Sequence, residues 1–461
     1  MGKPYDPTPR NVPPVDTPYR RIATPIPHPD TVEVLRTLQR CEPRSMQGQP
    51  PIVWQRAEGF QVWDGCGNMW LDWSSGVLVT NAGHSHPRIV AAIQAEARRS
   101  LLHSYCFPNA VRAQLVECLV GLAPAGLGKC FLLTTGSETT ECALKLARSW
   151  GQRVGGPRKI GIVAFENAFH GRTMGAQQMG TLGGGNDWIV NLDPDIHHVP
   201  FPDGYRVTDT RFELFLETLD RQGVTPDRIA GVITETYQGV GPDFLPAEYA
   251  QRLEAWCGEH DIVMIYDEVQ AGFGRTGKFW GFEHYGVTPD LITCGKGIAS
   301  SLPLGCVLGR DELMDQYDPG SMTSTHSGNP ICCAAALASA QAIVEEGMVE
   351  NAARMEGVLM PGLEAIQDRH PDVVGCVHGK GLVAGLQMVR PGTKTPDHDL
   401  AHAIIEKAYQ KGLLFFAPVG VGGGCVKISP PLCIHAEAIE DGLDALGEAV
   451  EEAVAARLVA A

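Results

Sequence analysis

Between residues 88 and 330 the chain alternates helical stretches with short apolar runs, and no other feature restricts its fold so strongly. "KIGIVAFE", "IAGVITET", "DIVMIYDEV", "DLITCGKG" and "LGCVLGR" are brief and rich in Ile and Val. Their apolar character is nearly continuous rather than alternating, so they read as strands buried on both faces. "HPRIVAAIQAEARRSLL" and "ETTECALKLARSW" carry helical spacing, the second with a helix start near Glu138. Strands interleaved with helices predict an α/β domain with a largely parallel sheet covered on both sides. The flanking segments differ. "DTVEVLRTLQRCEPR" has the spacing of a helix, and "FQVWDGCGNMWLDWSSG" reads as two strands joined by a turn at Asp64–Asn68. After residue 330 come a long helical stretch, the strands of "VVGCVHGKGLVAGLQMV", a helix, the strand "GGCVKISP" and a closing amphipathic helix. The expected division is residues 1–87 as an N-terminal arm with part of a small α+β domain, 88–330 as the large domain, and 331–461 as the remainder of the small domain.

Charge and cysteine usage narrow the function classes. The formal net charge of −16 repels nucleic-acid backbones, so nucleic acid is not an expected partner, and with no run of about 18 apolar residues neither is a membrane. Fourteen cysteines are scattered without a C-x-x-C pair, which fits free thiols in a reducing cytoplasm better than a disulfide framework or a metal site. Cys332 and Cys333 sit in "NPICCAAALASAQAIV" and read as core packing. The opening "MGKPYDPTPRNVPPVDTPYR" has no apolar signal region, and Asp6 stands where a myristoylation motif needs Ser or Thr. This proline-rich arm of about 30 residues reads as extended, either disordered or laid on a partner subunit.

The chemistry gathers at strand ends, where ligands collect in α/β sheets. Glu235 follows "GVIT", Asp267 follows "IVMIY" and Lys296 follows "LITCG". Taken singly, Asp267 fits a helix cap or a structural ion pair, and Lys296 fits an exposed lysine after a strand. A desolvated lysine, however, loses its proton more readily and becomes a nucleophile able to form a Schiff base. "LLTTGSETTECALKLAR" puts Gly136 and Ser137 before a helix start, a ready anion site, without the spacing of a P-loop. "NAFHGRTMG" offers the flat face of Phe169 and the fork of Arg172. A phosphate site, a stacking ring, a carboxylate for a ring nitrogen and an imine-forming lysine are together the binding needs of pyridoxal phosphate.

At this point the chain resembles the class III aminotransferases of the pyridoxal phosphate-dependent fold-type I superfamily, which include ornithine, 4-aminobutyrate and other ω-amino acid aminotransferases. The likeness rests on "WDGCGNMWLDWSSG", "NAGHSHP", "TTGSETTECALKLAR", "FHGRT", "YDEVQAGFGRTG", "PDLITCGKGI", "THSGNP" and "GKGLVAGL", with 29 positions from Asp267 to Lys296. It implies a seven-stranded, mostly parallel sheet between helices in the large domain. It implies pyridoxal 5'-phosphate as cofactor, with Lys296 as the Schiff-base lysine and proton shuttle and Asp267 as partner of the ring nitrogen. Gln270 would reach the ring hydroxyl, Phe169 and Val269 would cover the two ring faces, and Glu235 would orient nearby polar groups. Gly136 and Ser137 would hold the phosphate, and Thr325 would reach the phosphate of a partner subunit. The implied assembly is a homodimer or tetramer with active sites at the interface. The implied reaction is a ping-pong transfer, through pyridoxamine phosphate, of an amino group from an ω-amino acid or amine to a 2-oxo acid such as pyruvate or 2-oxoglutarate. The alternative is a racemase, epimerase or decarboxylating transaminase of the same family.

The expected substrate pocket departs from that pattern. Where several members carry a switching glutamate, this chain has Val240 in "ETYQGVG", and where they carry the paired arginine it has Lys427 in "CVKISPP". Lysine lacks the planar fork of arginine. Two readings follow: Lys427 binds an α-carboxylate as a point charge, or it faces away and leaves Arg172 as the principal carboxylate clamp. The second is favoured. Val77 replaces a tyrosine of the ornithine enzymes and Leu78 a tryptophan of many amine-accepting relatives, so an apolar, moderately open pocket is expected. His326 replaces an aromatic residue, either to touch phosphate or to fill space.

Overall fold

The computed structural model describes residues 3–460, and the Met1–Gly2 start of the myristoylation reading lies outside them. The chain forms two compact units. The larger comprises Pro87–Gly239 and Asp243–Val349; the smaller comprises Met1–His86, Val240–Pro242 and Glu350–Ala461. The division after Val349 falls later than the expected one after residue 330, because the apolar helix Pro330–Glu345 packs with helices Pro87–Arg98 and Ala110–Leu122 of the larger unit. Cys333 is buried in that helix and Cys332 half-buried.

The larger unit is built on a seven-stranded sheet. Its strands are β1 (Lys129–Leu133), β2 (Gly161–Phe165), β3 (Ile196–Val199), β4 (Ile229–Glu235), β5 (Val263–Asp267), β6 (Leu291–Cys294) and β7 (Gly305–Gly309). Their spatial order is β1-β7-β6-β5-β4-β2-β3. Only β7 runs against its neighbours; the pairs β3–β2, β2–β4, β4–β5 and β5–β6 are parallel. Every residue of β2, β4, β5, β6 and β7 is buried, as their unbroken apolar runs require.

Helix Gly136–Gly155 lies against this sheet. Its buried face includes Ala143, Leu146 and Ala147, which cluster with Ile162, Ile233, Ile265 and Leu291 from four strands. Each such leucine or isoleucine contributes about 1.5–3 kcal/mol on burial. The helix begins at Gly136, two residues before the expected start at Glu138, because Thr135 and Glu138 form a capping box. Thr135 accepts from the Glu138 N–H, and the Glu138 carboxylate accepts from the Thr135 N–H. Helix Pro87–Arg98 stops short of Leu101 and Leu102, which are exposed.

In the smaller unit, Gln61–Trp63 and Met69–Asp72 are the antiparallel pair joined at Asp64–Asn68. Strands Val374–Lys380, Val383–Met388 and Cys425–Ile428 form a separate antiparallel sheet. The proline-rich arm belongs to this unit and is held by its own chain. Tyr5 stacks on His402 with ring centroids 4.0 Å apart and meets Tyr409 edge-on at 5.6 Å. His402 Nε2 lies 3.1 Å from the Lys3 carbonyl oxygen, and Arg10 pairs with Asp6 and Glu406. Among the described residues no single helix is long and apolar enough to cross a membrane; one pair, bent by 59°, passes only when joined, and its first helix is mostly buried.

Candidate active site

Parallel strands β4 and β5 end side by side, with Glu235 directly opposite Asp267 in register. Both carboxylates are buried at the carboxyl end of the sheet. Asp267 is held at both oxygens: Oδ1 accepts from the Val269 N–H at 3.0 Å, and Oδ2 lies 2.8 Å from His170 Nδ1. Burial opposes charge on the His170 ring, but the hydrogen bond and charge of Asp267, with Glu235 behind them, lift its pKa above the ordinary histidine value. Glu235 is held equally firmly, Oε2 accepting from the Phe169 N–H at 3.0 Å and Oε1 from the Gly239 N–H at 2.8 Å. Burial nonetheless pushes its pKa up to about 7, with His170 acting against that rise and Asp267 adding to it.

Lys296 follows β6 in a short 3₁₀ turn, Lys296–Ile298. Its φ of 42° is left-handed, uncommon for a residue with a Cβ. Burial lowers its pKa below the ordinary lysine value, while Asp267 and Glu235 pull the other way. The nearest neighbours of the flanking Gly295 are the Val269 side chain and the Gly136 backbone, which a Cβ would meet at 3.2–3.3 Å. The glycine therefore lets the turn pack directly on the start of helix Gly136–Gly155. Gly136 is itself required there, since a Cβ on it would lie 2.7 Å from Val269 Cγ1.

These groups surround one cavity of about 320 Å³. Its wall contains Lys296, Asp267, Glu235, Val269 and Gln270 from the β4, β5 and β6 ends. Thr135, Gly136 and Ser137 bring the helix start, and Phe169, His170, Gly171 and Arg172 bring the loop after β2. The Ser137 hydroxyl accepts from the Arg172 and Thr173 N–H groups at 3.0 and 3.1 Å, tying that loop to the helix. Arg172 is exposed, and its guanidinium carbon lies 4.9 Å from the centroid of the Phe169 ring. The donor set suits a flat, phosphate-bearing aldehyde with a basic ring nitrogen. It offers an amine of lowered pKa, a fixed carboxylate, aromatic and aliphatic walls, and a helix N-terminus.

Nine sequence-derived site residues thus share this wall. Thr325 does not; it is exposed in the segment before helix Pro330–Glu345. His326, also exposed, lies against His103 with centroids 5.6 Å apart. Val77, Leu78, Val240 and Lys427 belong to the smaller unit. Val77 is exposed and Leu78 buried, both with left-handed φ, while Lys427 is buried opposite Gly385. Sequence reasoning passed over His170, although it stands between Phe169 and Arg172 in a stretch already singled out.

A profile of the family aminotransferase class III matches residues 44–450, and the chain belongs to this family of transferases. It is 34% identical over 447 residues to a 4-aminobutyrate aminotransferase of Mycobacterium leprae, covering 93% of this chain and 97% of the relative. It is 35% identical over 422 residues to a 5-aminovalerate aminotransferase of Pseudomonas putida, covering 89% and 96%. Among solved structures it resembles a transaminase from the marine bacterium Virgibacillus, with a TM-score of 0.83, 25% identity and coverage of 91% and 99%. An amine transaminase from an uncultivated Pseudomonas species, solved in its PLP-bound form, matches with a TM-score of 0.81, 29% identity and coverage of 87% and 95%.

Proposed function

We propose that this enzyme uses pyridoxal phosphate to move an amino group from an ω-amino acid or amine, of the 4-aminobutyrate type, to a 2-oxo acid such as pyruvate or 2-oxoglutarate. The observation that carries the reading is Lys296, an amine held below its usual proton affinity, lining one cavity with the doubly anchored Asp267. Pyridoxal phosphate, when bound, supplies an aldehyde that condenses with amines and a ring that draws electrons from the amine-bearing carbon. Lys296 then acts as nucleophile, and afterwards moves a proton at the substrate's amine-bearing carbon. Asp267 keeps negative charge where it favours a protonated ring nitrogen, and His170 and the Val269 N–H prevent the carboxylate from turning away. Gly136 and Ser137 hold a phosphate at the helix N-terminus, Phe169 and Val269 flank the ring, and Gln270 meets the ring hydroxyl. Glu235 fixes the wall by holding the Phe169 and Gly239 N–H groups.

Arg172 clamps the donor's distal carboxylate, a role in keeping with relatives named for 4-aminobutyrate and 5-aminovalerate. Val77, Leu78, Val240 and Lys427 shape the remaining selectivity. The order of events is ping-pong, the first product leaving before the oxo acid enters. The proposed assembly is a homodimer, which the exposure of Thr325 supports, and the proposed compartment is the cytoplasm, which suits fourteen free thiols.

The test is to mix holoenzyme with 4-aminobutyrate, 5-aminovalerate, ornithine, β-alanine or an aryl-alkyl amine, without any oxo acid, and follow the cofactor's visible band. A productive donor bleaches the band, and a 2-oxo acid restores it. If an enantiopure amino acid instead loses optical purity while the band persists, the enzyme is a racemase and the transamination reading fails.

A further inference from the structure

Arg172 does not stand alone at the cavity wall. Its Nη1 donates to Oε1 of Gln177 at 3.3 Å. Gln177 is buried on the short helix Met174–Met179, and its other amide atom is also committed. Nε2 donates to the Gly185 carbonyl at 3.1 Å and to Asn186 Oδ1 at 3.3 Å. Asn186 in turn donates to the Gly180 carbonyl at 2.8 Å. Gly185 packs closely on this junction: a Cβ there would lie 2.7 Å from Gln177 Nε2, so the amide end would have to shift. The neighbouring Gln178 holds the far end of the same loop, its Oε1 accepting from the Asp193 N–H at 2.7 Å.

A buried amide with both ends bonded has a fixed orientation, so it presents an acceptor, and no charge, to Arg172. The guanidinium is thereby held between Gln177 and the face of Phe169 while keeping its full positive charge. A carboxylate at this position would neutralise the arginine, and an apolar side chain would leave it free to turn into solvent. Prior ordering of the fork lowers the entropy lost when a carboxylate docks.

We propose that Gln177 is a positioning residue for Arg172 and sets the preference for amino donors that carry a distal carboxylate over donors of equal length that lack one. The proposal rests on the reading of Arg172 as the carboxylate clamp. It is tested on holoenzymes of the wild type, Gln177→Met, Gln177→Glu and Arg172→Met. The ratio of kcat/KM for 5-aminovalerate to that for pentylamine is measured, and the Kd of the unreactive dicarboxylate glutarate is taken by calorimetry. Gln177→Met is expected to lower the ratio roughly tenfold, chiefly by raising KM for 5-aminovalerate, and to weaken glutarate similarly, as befits one hydrogen bond to a charged group. Gln177→Glu, which keeps the shape and the acceptor but loses the donor to Gly185 and Asn186, is expected to lower both further, by neutralising Arg172 and by freeing the side chain from that anchor. If Arg172→Met loses discrimination and glutarate binding while both Gln177 variants keep them within twofold, the proposal is wrong and the clamp stands. If Arg172→Met keeps them too, the clamp reading itself fails. Should Gln177→Met fail to load cofactor, the isosteric Gln177→Glu decides by the same two measurements.

Discussion

At the scale of single residues, the cavity sets one base against two buried acids. The Lys296 amine is disfavoured in its charged form by burial more than it is favoured by Asp267 and Glu235. The folded apoprotein therefore binds fewer protons at this position than the unfolded chain between the lowered pKa and the lysine value of 10.5, and stability contributed here rises with pH across that window. Because only the neutral amine attacks an aldehyde, covalent capture of pyridoxal phosphate by the apoenzyme is expected to accelerate with pH and level off at a midpoint below 10.5. Stopped-flow absorbance gives that midpoint. A value no lower than that of a free lysine would show that desolvation does not govern this amine. That Lys296, Asp267, Phe169, Gly136 and Ser137 would meet at one cavity was legible in the sequence, because each follows a strand or opens a helix and strand ends of such a sheet converge. His170 was not legible. Its role depends on a 2.8 Å contact across 97 positions, and a histidine in a loop carries no periodicity to announce that.

At the scale of elements, the alternation of apolar runs and helical stretches sufficed to name the sheet and its predominantly parallel character. It could not supply the strand order, which depends on crossovers and on β7 entering between β1 and β6. The start of helix Gly136–Gly155 was misjudged because its capping box makes Thr135 the cap, which adds Gly136 and Ser137 to the first turn. The N-terminal arm was open between disorder and a partner's surface, since proline-rich sequence has little periodicity to interpret. Its later residues are fixed by the Arg20–Asp441 ion pair, the Arg21–Met69 strand pairing and the Arg10–Ile26 backbone bonds, and its first residues by Tyr5, whose ring is buried against His402 and Tyr409. Tyr5→Ala removes both ring contacts and is expected to cost the arm about 2–4 kcal/mol of its attachment. Limited proteolysis is then expected to cut at or before Arg10 well before the rest of the chain, because the residues beyond it keep their own anchors, with kcat for the leading donor little changed. Cleavage no faster than in the wild type would mean that the Arg10 ion pairs hold the arm instead.

At the scale of the whole molecule, the residues that line the cavity fall in the larger unit, whereas Val77, Leu78, Val240 and Lys427 fall in the smaller. A sequence pattern identifies such residues one by one and says nothing of which segments a three-part unit draws together, so Val240–Pro242 joining the smaller unit was not foreseen. Thr325 raises the question of what completes the site. It is exposed and absent from the cavity wall of its own chain, and its segment is bonded to another that is rich in exposed apolar groups. Tyr105 Oη lies 2.9 Å from Thr323 Oγ1, Asn329 donates to the Leu102 carbonyl at 2.7 Å, and Leu102 and Phe107 are 59% and 73% exposed. Such a surface suits a second copy of the chain. If Thr325 serves the partner's phosphate, each site takes Lys296 from one subunit and Thr325 from the other. Lys296→Ala and Thr325→Asp are each expected to be inactive alone. Unfolded together and refolded as a mixture, they are expected to recover activity, because one site of every mixed dimer then contains both native residues. With random pairing, about a quarter of all sites become intact. The mixed species is isolated through two different affinity tags, and its mass is expected at twice 49.6 kDa. Activity that never rises above the two parents in the isolated mixed dimer would place Thr325 and Lys296 in the service of the same subunit and overturn the shared site.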